Sequence, residues 1–185
     1  MAVAHYAAGA RAFAPGPGAR GTMGGHGGVM NIYCAGPLFS PAERDFLAGC
    51  AARLRAAGFD CFVPHEEELR ANPTPEDVFD LDFEALSRSD ALLAWLDGPQ
   101  VDDGTACEIG LFCGLMRQPG SRRKGIVGLA TDWRLERRRS LWDHGGMNLF
   151  VSGAIRRAGR LCWTLDEAVA QLVDWRKELE SAKAP

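Results

Sequence analysis

The chain has 185 residues, of which 46% are hydrophobic and 24% charged, and its formal net charge is -3. This length supports one globular domain with a real core. The negative charge argues against a general nucleic-acid binder, and no apolar run approaches the roughly 20 residues that a membrane-spanning helix needs. We therefore expect a soluble, cytoplasmic protein with no nucleic acid or membrane among its partners.

The first 29 residues are rich in glycine, alanine and proline and have no periodic apolar face. Such a composition predicts a disordered arm. The arm also lacks the charged start and the continuous apolar core of a secretory signal. We predict that residues 30–185 form a single domain.

From Met30 onward, strand and helix signals alternate along the chain. The first helix has the clearest start, because Ser40 is a good N-cap, Pro41 suits the first position and Glu43 completes a capping box. Strands are predicted at 31–35, 59–63, 91–96, 125–130 and 160–164, and helices at 41–57, 76–89, 105–116 and 166–182. This α/β alternation predicts a flavodoxin-like, three-layer sandwich with a five-stranded parallel sheet of order 2-1-3-4-5.

Carboxylates are concentrated between the third strand and the following helix, from Asp97 to Glu108. Parallel sheets bind ligands at the carboxyl ends of their strands, so this segment is expected to border a site. Glu108 lies in the first turns of the helix, where the helix dipole is expected to keep it ionised and usable as a nucleophile or base. The alternative is that Glu108 only stabilises the start of the helix and has no chemical role.

Two further polar residues are expected near Glu108. Tyr33 lies in the strand that neighbours the third strand, and Asp82 lies on the helix that precedes it. The alternative interpretation of Asp82 is an exposed acid on an amphipathic helix, and that of Asp102 is a turn residue. Clustered carboxylates suit glycosidic bond cleavage, in which one attacks the sugar and another manages the proton of the leaving group.

The six cysteines have neither a C-x-x-C pair nor a histidine spacing that would suggest a metal site. We therefore expect reduced packing thiols and no metal. For Cys107 the alternative to a packing role is a reactive thiol, because this residue adjoins Glu108.

Four segments occur in unbroken order between residues 30 and 155. They are Ile-Tyr-Cys-Ala-Gly-Pro-Leu-Phe at 32–39, the helix that places Asp82 eight residues before Asp90, the run from Asp97 to Gly110, and Gly-Met-Asn-Leu at 146–149. In this combination the chain resembles the nucleoside 2-deoxyribosyltransferases. The resemblance implies a flavodoxin-like fold and the exchange of purine or pyrimidine bases on 2'-deoxyribonucleosides, in nucleoside salvage and without a cofactor.

The resemblance also implies catalytic roles for four residues. Glu108 is expected to be the nucleophile that forms a covalent deoxyribosyl intermediate, and Tyr33 to hydrogen-bond and orient it. Asp82 and Asp102 are expected to bind the sugar or base and to handle the proton of the base. Asp102 is preferred to Asp103 because it lies six residues before Glu108, as the corresponding acid of the family does.

Three more positions are expected to contact the substrate. Asn148 matches a late asparagine of the family that reaches a site at a subunit interface, which implies a homodimer or higher homo-oligomer with shared active sites. Gly36 and Asp97, at the ends of the first and third strands, are the other two. In place of an aromatic residue before the nucleophile, this chain has Cys107.

Two other functions stay open at this point. One is an N-glycosidase that hydrolyses nucleosides or deoxynucleoside 5'-monophosphates, and the other is a catalytically silent nucleotide-sensing module. The basic segment 134–139, with 122–124 nearby, is either a solvated face or a 5'-phosphate site. The apolar loop after the first strand favours free nucleosides.

Overall fold

The structure, a computed structural model, describes residues 29–69, 71–135 and 146–182. The predicted N-terminal arm lies outside these residues, apart from Val29. A five-stranded sheet runs through the described part, with the strand order β2-β1-β3-β4-β5 and every pair parallel. The strands are β1 (Asn31–Ala35), β2 (Asp60–Phe62), β3 (Ala91–Trp95), β4 (Gly125–Leu129) and β5 (Gly159–Cys162). The predicted flavodoxin-like sheet order is confirmed.

Five α-helices and a short 3-10 helix at Pro64–Glu66 lie wholly within the described residues, and residues 133–135 are also helical. The helices are α1 (Pro41–Ala56), α2 (Pro75–Arg88), α3 (Asp103–Met116), α4 (Leu149–Ala158) and α5 (Leu165–Ser181). The capping box of α1 forms as predicted, since the Glu43 N–H donates to Ser40 at 3.2 Å and the Ser40 N–H donates to Glu43 at 2.6 Å. Thr74 and Asp77 form a second capping box at the start of α2.

The helix α4 was absent from the sequence prediction. Its sequence contains Ser152 and Gly153, which are weak helix formers, and begins with the exposed apolar pair Leu149 and Phe150. Packing of Ile155 into the core stabilises the helix instead.

The two faces of the sheet bury two separate cores. Ile32 and Trp95 pack with side chains of α1 and α5 on one face, and Tyr33 packs with side chains of α2, α3 and α4 on the other. Neighbouring positions of a strand point to opposite faces, which separates Tyr33 from Ile32. The structure therefore places Tyr33 on the face that α3 covers, and α3 carries Glu108.

No helix in the described part of the chain is long and apolar enough to cross a membrane.

Candidate active site

Glu108 and Tyr33 form the centre of the site. Glu108 lies in the second turn of α3, and its side chain is half-buried. The Tyr33 hydroxyl donates a hydrogen bond of 2.5 Å to Glu108 Oε1. This distance is typical of a strong O–H···O bond to a carboxylate. The structure thus brings together the two residues that the sequence assigned to attack and orientation.

Packing fixes the Tyr33 side chain at this position. Tyr33 is fully buried in β1, and its ring stacks on Phe62 of β2 with a centroid distance of 5.0 Å. The two residues are paired in the parallel register of β1 and β2. Because a buried ring has few alternative rotamers, its hydroxyl is held towards Glu108 before any substrate arrives. Phe62 did not stand out in the sequence, although the predicted strand order placed its strand beside that of Tyr33.

Burial controls the ionisation of Glu108. The pKa of Glu108 is raised to about 8, mainly by desolvation. The Tyr33 hydrogen bond opposes this rise, and the charges of Asp82 and Asp102 add to it. The predicted ionised Glu108 is therefore wrong for the unliganded protein at neutral pH. The helix dipole acts mainly within the first turn, and Glu108 lies beyond it, so desolvation dominates.

Asp82 lies on α2 and faces the same cluster. Its side chain is half-buried, and burial raises its pKa to about 6, while a hydrogen bond with Tyr33 lowers it. Burial and the charges of Glu108 and Asp82 raise the pKa of Tyr33 far above its ordinary value, so that the hydroxyl stays a hydrogen-bond donor. The alternative of Asp82 as a plain exposed acid does not hold.

Asp102 is the N-cap of α3. Its Oδ2 accepts hydrogen bonds from the Thr105 N–H at 2.9 Å and from the Thr105 hydroxyl at 3.0 Å. Asp103 is exposed and accepts from the Gly104 N–H at 2.9 Å. Of the two acids, Asp102 is the one whose charge acts on Glu108, which agrees with the preferred register. The spacing of Asp102 and Thr105 is a capping pattern that sequence reasoning overlooked.

Gly36 and Asp97 lie beside the other face of the sheet. Asp97 accepts hydrogen bonds from the Thr131 N–H, at 2.7 Å, and from the Thr131 hydroxyl. It lines a cavity of about 560 Å³ together with Trp95 and Glu43 of α1. A Cβ atom on Gly36 would lie 3.3 Å from Trp95, so this glycine permits close packing there. None of the four residues around Glu108 lines this cavity.

Asn148 caps α4 of its own chain. Its Oδ1 accepts from the Phe150 N–H at 2.9 Å and from the Val151 N–H at 3.4 Å, and the side chain is exposed. Leu149 and Phe150 beside it are 71% and 86% exposed. The carboxamide nitrogen of Asn148 is the atom left for contacts with another molecule.

The basic residues 122–124 directly precede β4, at the amino edge of the sheet. Glu108 follows β3 at the carboxyl edge, so a nucleoside in contact with Glu108 cannot place a 5'-phosphate against residues 122–124. Lys124 instead pairs with Glu178 at 2.7 Å. Arg134 pairs with Asp132, and the rest of the basic segment, from residue 136, lies outside the described residues.

Cys107 is exposed, so its expected role as a packing residue is wrong. It precedes Glu108 on α3 and therefore points away from the enclosed side of that helix. In the described part of the chain, no group of three or more His, Cys, Asp or Glu side chains is arranged to hold a metal ion.

Comparison with known proteins identifies the family. The family model described as nucleoside 2-deoxyribosyltransferase matches residues 32–149, which is more than half of the chain. The chain belongs to the nucleoside 2-deoxyribosyltransferase family. Members of this family are enzymes that act on small-molecule nucleosides and bases.

Individual proteins agree with this membership. An uncharacterised protein of Ureaplasma parvum serovar 3 is 32% identical over 138 residues, which cover 68% of this chain and 83% of that protein. A conserved protein from Enterococcus faecalis V583 has a TM-score of 0.63 and 26% identity, covering 79% of this chain and 98% of the other. A 2-deoxyribosyltransferase from Leishmania mexicana shares the fold, with a TM-score of 0.55 and 18% identity over 78% of this chain and 97% of its own.

Proposed function

We propose that this member of the nucleoside 2-deoxyribosyltransferase family transfers the 2-deoxyribosyl group between purine or pyrimidine bases through a covalent ester on Glu108. The hydrogen bond of 2.5 Å from Tyr33 to Glu108 Oε1 carries this proposal. It holds a half-buried carboxylate at the carboxyl edge of the sheet, beside two further acids. A nucleophile and its neighbours within hydrogen-bond reach are the arrangement that covalent glycosyl transfer requires.

In the first half-reaction, Glu108 attacks C1' of the deoxyribosyl group while the bond from C1' to the base nitrogen breaks. The departing base is a poor leaving group as an anion, so a ring nitrogen takes up a proton from Asp82. The pKa values of about 8 for Glu108 and about 6 for Asp82 mean that the pair holds about one proton at neutral pH. The reactive form has this proton on Asp82 and leaves Glu108 ionised.

In the second half-reaction, a new base attacks C1' and displaces Glu108 as a carboxylate. Asp82 takes the proton from the incoming ring nitrogen and returns to its starting state. Two inversions at C1' retain the configuration of the sugar, and the kinetics are ping-pong. The missing 2'-hydroxyl of the sugar favours this path, because no electron-withdrawing group opposes the positive charge at C1'.

The other residues of the site hold the reactants in place. Tyr33 orients Glu108, and Asp102 accepts a hydrogen bond from the sugar or base. Asn148 contacts the substrate from a second copy of the chain, so that the active sites are shared within a homo-oligomer. The exposed Leu149 and Phe150 supply apolar contact area at that interface. Gly36 and Asp97 shape the ends of β1 and β3 beside the cavity on the other face of the sheet.

Hydrolysis is a second candidate function. Glu108 and Asp82 are each only half-buried, so water can reach the cluster and compete with the acceptor base for C1'. Asp82 would then deprotonate water in the second half-reaction and release deoxyribose. The distinction depends on which acceptor reaches C1' first, and both reactions use the same ester.

Incubation with deoxyinosine and adenine separates these functions, with products resolved by chromatography. Formation of deoxyadenosine supports transfer and a role in nucleoside salvage, whereas free deoxyribose without exchange supports hydrolysis. A catalytically silent sensing module would convert no pair of nucleoside and base. Glu108→Ala is expected to abolish exchange, and Asp103→Asn, at the exposed neighbouring acid, is the matched control.

A further inference from the structure

Gly104 and Thr105 surround one oxygen of Asp102. The backbone N–H and the hydroxyl of Thr105 both donate to Oδ2 of Asp102, at 2.9 Å and 3.0 Å. Thr105 is only 1% exposed, so its side chain has no water to bond with instead. A buried hydroxyl with one fixed acceptor holds that acceptor in one orientation.

Gly104 provides the space that this orientation needs. A Cβ atom on Gly104 would lie 3.2 Å from Asp102 Oδ2, which is tighter than most Cβ contacts and would push the carboxylate by a few tenths of an ångström. The carboxylate would have to turn or shift to relieve the contact. Gly104 thus leaves room for the carboxylate, and Thr105 holds it with two hydrogen bonds.

We propose that Gly104 and Thr105 are positioning residues for Asp102, and that they direct its Oδ1 to the substrate. Both Thr105 donors bind Oδ2, so Oδ1 is the oxygen left to accept from a hydroxyl or amino group of the nucleoside. This inference rests on the proposed function for the identity of the ligand. Neither residue touches the reacting atoms, and both act through Asp102.

The orientation matters because Asp102 is close enough for its charge to act on Glu108. A carboxylate that turned away would lose its contact with the substrate and change the field at the nucleophile. Misplacement of a positioning group by about 1 Å costs up to roughly 100-fold in rate. Thr105 is therefore expected to affect the rate of the chemical step, besides capping α3.

Thr105→Val tests the proposal, because valine keeps the shape and the backbone N–H but removes the hydroxyl. We expect kcat for base exchange to fall about 10-fold or more, and Thr105→Ser to restore most of it. In the Asp102→Asn background, Thr105→Val should add less than about a 2-fold effect, since the group it positions has already changed. Gly104→Ala should resemble Thr105→Val.

Equal kcat values for Thr105→Val and the unmodified protein would overturn the proposal, as would an undiminished effect in the Asp102→Asn background. If Thr105→Val does not fold, Gly104→Ala gives the same comparison. If the protein shows no turnover, calorimetry measures the binding of deoxyinosine to Glu108→Ala, with and without Thr105→Val. Weaker binding with valine that serine restores supports positioning, and unchanged or absent binding overturns it. Lack of exchange by the unmodified protein overturns the proposed function alone.

Discussion

Tyr33 and Glu108 are 75 residues apart in the sequence, and their side chains meet at 2.5 Å. The contact exists because β1 and β3 are neighbours in the sheet and α3 returns over the face to which Tyr33 points. The hydroxyl lowers the pKa of a carboxyl group whose burial raises it. The site therefore balances two opposite effects on one carboxyl group.

Replacing the hydroxyl of Tyr33 should disturb this balance without disturbing the core. Tyr33→Phe keeps the ring that stacks on Phe62 and removes the donor. We expect kcat to fall about 10- to 100-fold. Because the hydroxyl lowers the pKa of both Glu108 and Asp82, both limbs of the pH profile of kcat/KM should move to higher pH. An unchanged profile would show that the bond does not tune the nucleophile.

The unmodified enzyme should show a bell-shaped pH dependence of kcat/KM. The limbs are expected near pH 6 and pH 8, from the pKa values of Asp82 and Glu108, since only the singly protonated pair reacts.

Asp82→Asn should leave a single rising limb, because Glu108 then titrates alone and must be ionised to attack. The remaining pKa should also be lower, since the charge of Asp82 has gone. Overall activity should fall about 100-fold with poor leaving groups. A bell-shaped pH profile that persists in Asp82→Asn would show that a group other than Asp82 supplies the proton to the departing base.

Glu108 should cost the protein stability at neutral and alkaline pH. Its pKa is about 8 in the folded protein and about 4.5 in the unfolded chain, so the unfolded state ionises first as the pH rises. The penalty is absent below pH 4.5, grows between pH 4.5 and 8, and is complete above pH 8.

Glu108→Gln should therefore raise the free energy of unfolding by about 1–3 kcal/mol at pH 8 and by almost nothing at pH 4. Denaturant unfolding at the two pH values measures the difference, and Asp103→Asn is the exposed control. Equal effects of Glu108→Gln at both pH values would contradict the raised pKa.

The strand order and most helix positions could be predicted from the sequence, because short apolar runs alternate with capped amphipathic helices. Which acids lie close to Glu108 could be predicted only through the family resemblance. Spacing could not show that Glu108 is desolvated, because its burial depends on the packing of α2 against α3. Nor could it show that Asp97 faces the other side of the sheet, since this depends on where β3 ends.

The proposed sharing of sites between subunits can be tested by complementation. Glu108→Ala and Asn148→Ala are each expected to be nearly inactive alone. If one chain supplies Glu108 and another supplies Asn148, mixed oligomers regain about a quarter of the activity in a dimer, from the sites where both residues are intact. Mixtures no more active than the separate variants would place both residues in one chain.

Phe150→Asp should weaken assembly, because it puts a charge on the most exposed apolar side chain of that surface. Light scattering is expected to show a smaller particle, and base exchange should fall with it. Leu69→Asp, at an exposed apolar residue of another segment, is the matched control. A Phe150→Asp protein of unchanged size would argue against this surface as the interface.

The ester on Glu108 can be tested most directly by trapping it with a nucleoside whose sugar carries fluorine at C2'. Fluorine slows formation and breakdown of the ester by opposing positive charge at C1', and omission of an acceptor base lets the ester accumulate. Mass spectrometry of the intact protein and its peptides is expected to find one fluorinated sugar per chain, attached to Glu108. A label on another side chain, or no label in a protein that exchanges bases, would contradict the account.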